Sequence, residues 1–383
     1  MSCRITTFGN ILWLGFLVLL SGEVGAVTNA PFGVASAAGV GAMESGLSEE
    51  ILGCIVTITG SRGAGTGFIA TDGVSTCLYS NIHVLMGNSG MRFANHRGET
   101  FQPVAIEAAS DRDVVRLKLR QVPKQCLAIA TPRSLNVPVA VCGNAEGEEV
   151  MRVISGKIVG VGPLKVETDA QFVRGHSGSP ILTCDGKVLG IATYVKRGNP
   201  DWVSTNTPFA VTRRFGFRVD NVKNWVKVDQ RWFVAESGWL REREEKLTQL
   251  SQLLDAWADD PYWQLLPEET ADAVHRGVSD WVRAHNQVVA ANRRRLHSAR
   301  PSETKASELS REFHQQLRRE AEVLKQALAS AWRGPRPRWH LPFFRAYADE
   351  LDTWHDMLLK AVDELCALHS SYDPVVVKRR DVW

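Results

Sequence analysis

The chain of 383 residues carries 45 Lys and Arg against 42 Asp and Glu, with 44% hydrophobic and 23% charged residues. That length exceeds one typical domain and suggests two, each large enough to bury its own core. The composition is that of an ordinary globular protein, and a net charge of +3 is too small to argue for a nucleic-acid partner.

At the N-terminus Arg4 precedes an apolar run from Ile11 to Leu20, followed by Ser21-Gly22-Glu23-Val24-Gly25-Ala26. An apolar run of about ten residues is too short to span a bilayer comfortably, and the small residues at 24–26 suit a signal peptidase. The expectation is a signal peptide over 1–26, export to a periplasmic or secreted location, and no stable membrane span after cleavage. An uncleaved N-terminal anchor is the alternative. Residues 27–47, rich in Ala, Gly, Ser and Val, read as a flexible linker. Removal of the leader leaves Cys54, Cys77, Cys126, Cys142, Cys184 and Cys366. Export permits disulfides, buried free thiols are an equal alternative, and there is no metal spacing such as C-x-x-C.

From about residue 48 the pattern becomes that of short strands. Ile51 to Thr59, Gly65 to Ala70, Thr76 to His83, Val104 to Glu107 and Val114 to Leu119 are apolar or β-branched and separated by Gly and Asp turns. After a link around Pro123 and Pro132 a second group follows: Val137 to Cys142, Met151 to Val161, Leu164 to Thr168, Pro180 to Cys184, and Val188 to Tyr194. Short strands at close spacing predict an antiparallel barrel or sandwich; two barrels would leave a cleft between them that can hold an extended peptide.

Chemistry concentrates in Gly175-His176-Ser177-Gly178-Ser179-Pro180, which reads as a turn presenting a nucleophilic serine. A serine hydroxyl needs a positioned base, a group that orients the base, and an anion site beside it. His83 and Asp113, each at a predicted strand end, supply base and orienter. The glycines let backbone N–H groups converge, which assigns the oxyanion donors to Gly175 and Ser177. His176 adjoins the serine, but neighbouring side chains normally point apart, so it reads as structural rather than as a second base.

Gly65-Thr66-Gly67-Phe68-Ile69, Ser80-Asn81-Ile82-His83-Val84, Asp113-Val114-Val115-Arg116-Leu117, Ser155-Gly156-Lys157-Ile158-Val159 and Thr168-Asp169-Ala170 occur in order before the serine turn. With Leu189-Gly190-Ile191-Ala192-Thr193 and Phe209-Ala210-Val211 after it, residues 50–215 resemble the HtrA/Deg-type trypsin-like serine proteases. The resemblance implies a chymotrypsin-like two-barrel fold and endopeptidase activity on polypeptide. It also implies His83, Asp113 and Ser177 as base, orienter and nucleophile, without a cofactor. It places Gln171 on the floor of the pocket for the residue before the scissile bond; Thr193 and Tyr194 read either as a wall of that pocket or as ordinary strand residues. Lacking a carboxylate, such a pocket points to a small or medium apolar residue. His176 and Ser179 depart from the family's turn, nothing resembles the Ile-Val-Gly-Gly start of digestive trypsins, and no PDZ-like segment follows.

From Gln230 the pattern turns helical, and the stretch holds nine of the twelve tryptophans. Leu240, Leu247, Leu250, Leu254 and Trp257 form one apolar stripe; Ala271, Val274, Val278, Trp281 and Val288 form a second after Pro267. Leu309, Phe313, Leu317, Leu324 and Leu328 follow an N-cap at Ser302. Phe344, Tyr347, Leu351, Trp354, Leu358, Leu365 and Leu368 complete a fourth. The domain expectation is therefore a protease domain over 48–229 and an α-helical bundle or coiled-coil-like accessory domain over 230–383. The stripes face one another in a self-contained bundle, or serve homo-oligomerisation or partner docking. His285, His314 and His355 have no i, i+4 partner suited to a metal and receive no ligand role. A protease-like module that binds unfolded polypeptide without efficient catalysis is the alternative function, and an esterase a third.

Overall fold

The computed structural model describes residues 47–144, 150–173, 175–197, 212–297 and 303–371. The predicted signal segment 1–26, the linker apart from its last residue, Phe209-Ala210-Val211, Ser302 and the end of the helical region from 372 lie outside the described residues. The chain divides into two compact units. One holds the described residues up to 238 together with 338–345, the other 239–337 and those from 346 onward.

The first unit opens with a short helix, α1 (Glu49–Gly53), rather than with a strand at Ile51. The Ser48 hydroxyl accepts a hydrogen bond from the Ile51 N–H at 3.4 Å, and Glu49 and Glu50 occupy the first turn, where the helix dipole favours negative charge. The strands are β1 (Ile55–Gly60), β2 (Gly63–Thr71), β3 (Thr76–Ser80), β4 (Arg92–Asn95), β5 (Pro103–Ala109), β6 (Val115–Leu119) and β7 (Leu127–Ala128). Between β3 and β4 stands the helical turn α2 (Ile82–Leu85), so His83 is not the last residue of a strand as its sequence context suggests. The second group is β8 (Pro138–Asn144), β9 (Met151–Val161), β10 (Lys165–Thr168), β11 (Pro180–Thr183), β12 (Val188–Arg197), β13 (Thr212–Phe217) and β14 (Trp225–Val228).

Strands β8 to β13 close into a six-stranded barrel in the order β10-β13-β12-β11-β8-β9. The others form an eight-stranded sheet along the path β14-β5-β6-β3-β2-β1-β4, with β7 lying parallel beside β2. Among the described residues β14 and β4 do not pair, so hydrogen bonding in this sheet follows an open path.

In β8 and β9, Val139, Val141 and Ile158 point inward with Val166, Phe172, Ile181 and Leu189 to make the barrel core. In the sheet, Phe68 stacks on Tyr79 with ring centres 5.8 Å apart, and Trp225 meets Tyr79 edge-on at 6.3 Å. Strands β4, β13 and β14 lack a period-2 apolar signal. β13 contains Arg213 and Arg214, which find local partners. The Arg213 guanidinium donates twice to Glu167 of β10 at 2.7 Å and lies over the Phe215 ring, while Arg214 donates to the Phe172 carbonyl.

The second unit is helical. Helix α3 (Gln230–Asp259) carries the first stripe, and Leu240, Leu247, Leu250, Leu254 and Trp257 are all buried. The second stripe is two helices rather than one, α4 (Glu268–Val274) and α5 (Arg276–His297), because His275 is extended and ends the first. Val278 and Trp281 are buried as the stripe predicts, but Val289 rather than Val288 continues the buried face. Helices α6 (Glu303–Trp332) and α7 (Pro342–His369) complete the set.

Trp257 and Trp281 cross edge-on at 6.2 Å. The Arg243 guanidinium is held between the rings of Trp239 and Trp332, at 4.4 and 4.5 Å. His285 is buried with its Nδ1 2.7 Å from Glu320 and its Nε2 3.0 Å from the Gln264 carbonyl, and His355 stacks on Trp332. Along α7, Trp354 and Leu368 are only half-buried, and the buried places next to them go to His355 and His369. Among the described residues no group of three or more His, Cys, Asp or Glu could hold a metal ion, and no helix is long and apolar enough to cross a membrane.

Cys54, Cys77, Cys126, Cys142, Cys184 and Cys366 are all free, which selects the thiol alternative over disulfides. Burial pushes the Cys142 thiol up to about 12 and that of Cys54 up to about 11, while Cys126 and Cys184 are exposed. Because the thiolate is the nucleophile, a maleimide at pH 7.5 is expected to modify Cys126 and Cys184 within minutes. Cys54 and Cys142 should react only after denaturation, as read by intact mass.

Candidate active site

The two sequence-predicted residues of the sheet sit at one end of it. β3 and β6 pair antiparallel with Ser80 opposite Val115. His83, three residues beyond Ser80, and Asp113, two before Val115, are thereby brought together. Asp113 Oδ1 accepts from the His83 backbone N–H at 3.0 Å, and Oδ2 bonds the ring Nδ1. Both groups are nearly fully buried, at 4% and 2% exposure. A carboxylate facing Nδ1 places the ring proton there and leaves Nε2 as the nitrogen able to take up another.

The segment carrying Asp113 is anchored on both sides. Arg112 is buried and donates to the Arg218 carbonyl at 2.9 Å, to Asn221 Oδ1 at 2.6 Å and to both oxygens of Asp111. The Arg112 guanidinium holds the Asp111 carboxyl below the usual carboxylate range. Asn81, just before α2, donates its amide to the Asp113 carbonyl at 2.6 Å and to Thr193 Oγ1 on β12 at 3.1 Å. This side chain thus ties the sheet to the closed barrel beside the site.

The serine lies on the barrel side, in the turn before β11. Its conformation depends on two left-handed glycines, Gly175 at φ 91° and Gly178 at φ 86°. The Gly178 N–H donates to the Ala192 carbonyl at 2.9 Å, Ser179 N–H to the His176 carbonyl at 2.9 Å, and His176 N–H to the Val173 carbonyl at 3.2 Å. Among the described residues no acceptor takes the N–H groups of Gly175 or Ser177. Ser177 is half-buried, whereas its neighbours Gly175, His176, Gly178 and Ser179 are buried. The turn thus exposes one hydroxyl beside two uncommitted backbone donors.

Sheet and turn meet at Thr66 of β2. Its N–H donates to the Ser177 carbonyl at 2.9 Å and its hydroxyl to the Gly175 carbonyl at 3.0 Å. The sequence marks Thr66 only as the middle of Gly65-Thr66-Gly67. Asn81 is likewise missed, although a buried amide between two strand ends calls for partners in both.

Of the remaining candidates, Gln171 is exposed on the loop before the turn. Thr193 is buried, and its hydroxyl is taken up by Asn81 and the Ile191 carbonyl. The Tyr194 ring stacks on Phe215 at 5.2 Å, and its hydroxyl accepts from Lys165 at 2.8 Å. His176 is buried with Nδ1 3.2 Å from the Val173 carbonyl.

Residues 65–191, from β2 to β12 and including His83, Asp113 and Ser177, match the family described as trypsin-like peptidase domain. The chain is 24% identical over 171 residues to a probable periplasmic serine endoprotease, DegP-like, of Chlamydia muridarum, covering 40% of this chain and 32% of that protein. It is 27% identical over 187 residues to the chloroplastic Protease Do-like 1 of Arabidopsis thaliana, covering 44% and 41%. The match thus takes in less than half the length of either relative. Among solved structures it is similar to the serine endoprotease from Yersinia pestis at 22% identity and a TM-score of 0.35, covering 44% of this chain and 59% of that one. The chain carries a trypsin-like peptidase domain. Within that class it is similar to the HtrA/Deg-type proteases.

A Cβ at Gly178 would lie 1.9 Å from the Thr66 carbonyl oxygen and 2.5 Å from Ser80 Oγ, in a backbone conformation that L side chains rarely adopt. Gly178→Ala is therefore expected to destabilise the peptidase unit by about 3 kcal/mol or more, from left-handed strain and overpacking together. Chemical denaturation followed by Trp fluorescence measures it.

Proposed function

We propose that the protein is an exported serine endopeptidase in which His83, Asp113 and Ser177 form a catalytic triad. In this reading residues 48–229 are a two-barrel protease domain and residues 230–383 a helical bundle that serves as an accessory domain, open to self-association. The Ser177 hydroxyl attacks a peptide carbonyl of a polypeptide substrate while His83 Nε2 takes its proton. Asp113 holds the imidazole tautomer and stabilises the imidazolium that forms. The N–H groups of Gly175 and Ser177 bind the negative oxygen of the tetrahedral intermediate. Collapse returns the proton to the leaving amine and leaves an acyl-enzyme on Ser177, which water then hydrolyses by the same route. Gln171, with Thr193 and Tyr194 near it, lines a pocket without a carboxylate that suits a small or medium apolar side chain before the scissile bond. The chemistry calls for no cofactor.

The observation that carries this reading is the double engagement of His83 by Asp113, at ring and backbone, together with the two bonds by which Thr66 of the same sheet holds the carbonyls of Gly175 and Ser177. The export assignment rests on the N-terminal sequence and on the periplasmic designation of the chlamydial relative.

Labelling with a fluorophosphonate probe tests the proposal, because such a probe reacts efficiently only with a serine whose base and anion site are assembled. Wild type should be labelled, Ser177→Ala not at all, and His83→Ala slower by about 10⁴-fold or more. Folded wild type that fails to label would overturn the reading in favour of a module that binds polypeptide without cleaving it. Labelling that persists in Ser177→Ala would place the nucleophile elsewhere.

A further inference from the structure

We propose that Thr66 is a positioning residue for the reaction: its hydroxyl and N–H hold the Gly175 and Ser177 carbonyls and so fix the turn that presents Ser177 against the segment that leads to His83. The inference rests on Ser177 being the nucleophile. Thr66 is fully buried, and every polar atom it has is engaged with a part of the site. Its hydroxyl donates to the Gly175 carbonyl at 3.0 Å and accepts from the Asn144 N–H at 2.9 Å, so the rotor has one orientation. Its N–H holds the Ser177 carbonyl at 2.9 Å, and its own carbonyl accepts from the Ser80 hydroxyl at 2.7 Å. Ser80 lies three residues before His83 on the same strand and turn. One residue thus links the segment that presents the base to both carbonyls of the turn that presents the nucleophile.

The physical need for such a clamp follows from Gly175. The Gly175 carbonyl shares its rigid peptide plane with the His176 N–H, so turning that carbonyl away changes ψ of Gly175 and φ of His176, and with them the path of the chain into Ser177. Glycine offers no Cβ to oppose that rotation, and the turn has Gly175 at φ 91°. The hydrogen bond from the Thr66 hydroxyl opposes it instead. Room for the hydroxyl is also built in: a Cβ at Gly143 would lie 2.6 Å from Thr66 Oγ1 and 1.9 Å from Ser179 Oγ.

Thr66→Val keeps the shape, and the backbone N–H that holds Ser177, but loses the hydroxyl; Thr66→Ser keeps the hydroxyl. The probe is a fluorophosphonate, measured on the full chain for its maximal inactivation rate and its half-saturating concentration separately. Thr66→Val is expected to lower the maximal rate by about 10–100-fold, the range for a misplacement of the reacting groups, with half-saturation within about threefold of wild type. Thr66→Ser should stay within about threefold of wild type in both. Melting curves accompany each variant, and rates are taken below the lowest melting transition.

A folded Thr66→Val with the wild-type maximal rate overturns the proposal, as does a Thr66→Ser impaired as much as Thr66→Val. A change confined to half-saturation, or a Thr66→Val chain that does not fold at all, assigns Thr66 to substrate contact or to stability alone and also overturns it. Wild type that is folded yet unreactive removes the serine-nucleophile reading itself, a result distinct from a reactive wild type with an indifferent Thr66→Val.

Discussion

A carboxylate with 2% exposure must be met by donors, because burying the charge unpaired costs several kcal/mol. Asp113 is met by the ring and the backbone N–H of one histidine. The backbone bond constrains the architecture most, since it requires the turn carrying His83 to begin where β3 ends and to fold back over the start of β6. A strand continuing to His83 would carry that N–H into the sheet ladder. The helical turn at residues 82–85 is the local solution, and the pairing of β3 with β6 brings the two segments within reach.

The joint between sheet and barrel follows the same rule. The side chains nearest it are polar and buried: Thr66, Ser80, Asn81, Asn144, Ser179 and Thr193. A buried polar group is costly unless hydrogen-bonded, and several bonds cross from one sheet to the other, although the Asn144 amide and the Ser179 hydroxyl find no partner among the described residues. The Asn81 amide reaches Thr193, Thr66 reaches Gly175 and Ser177, and the Asn144 backbone N–H reaches Thr66. Directional bonds of this kind fix relative position more closely than apolar contact does, which suits a site assembled from two separately folded sheets.

The helical unit is held differently. Its apolar stripes supply most of the burial, and Trp257 and Trp281 are among the largest fully buried side chains. Charged groups are absorbed through their flat faces, as with Arg243 between Trp239 and Trp332. His285 is absorbed through two acceptors, one on each ring nitrogen. The tryptophans that mark the composition change are therefore partners of buried polar groups as well as core, as where His355, beside Trp354 of the stripe, stacks on Trp332.

The sequence by itself determined the short apolar strands and the turns between them, the helical stripes, and the order His83, Asp113, Ser177 with its glycine-rich turn, because composition, period and turn chemistry are local properties. Tertiary structure alone decided that the barrel of β8 to β13 closes while the pairing path of the other sheet stays open, since closure depends on strand tilt and register across non-adjacent segments. It decided that Arg213 and Arg214 belong to a strand, because their partners Glu167 and Phe172 lie on other elements. It decided the break at His275 and the placing of His355 and His369 in the helical core. Thr66 and Asn81 acquire their roles only there as well. Each satisfies buried groups more than 100 positions away in the chain, and no local pattern encodes such a pairing.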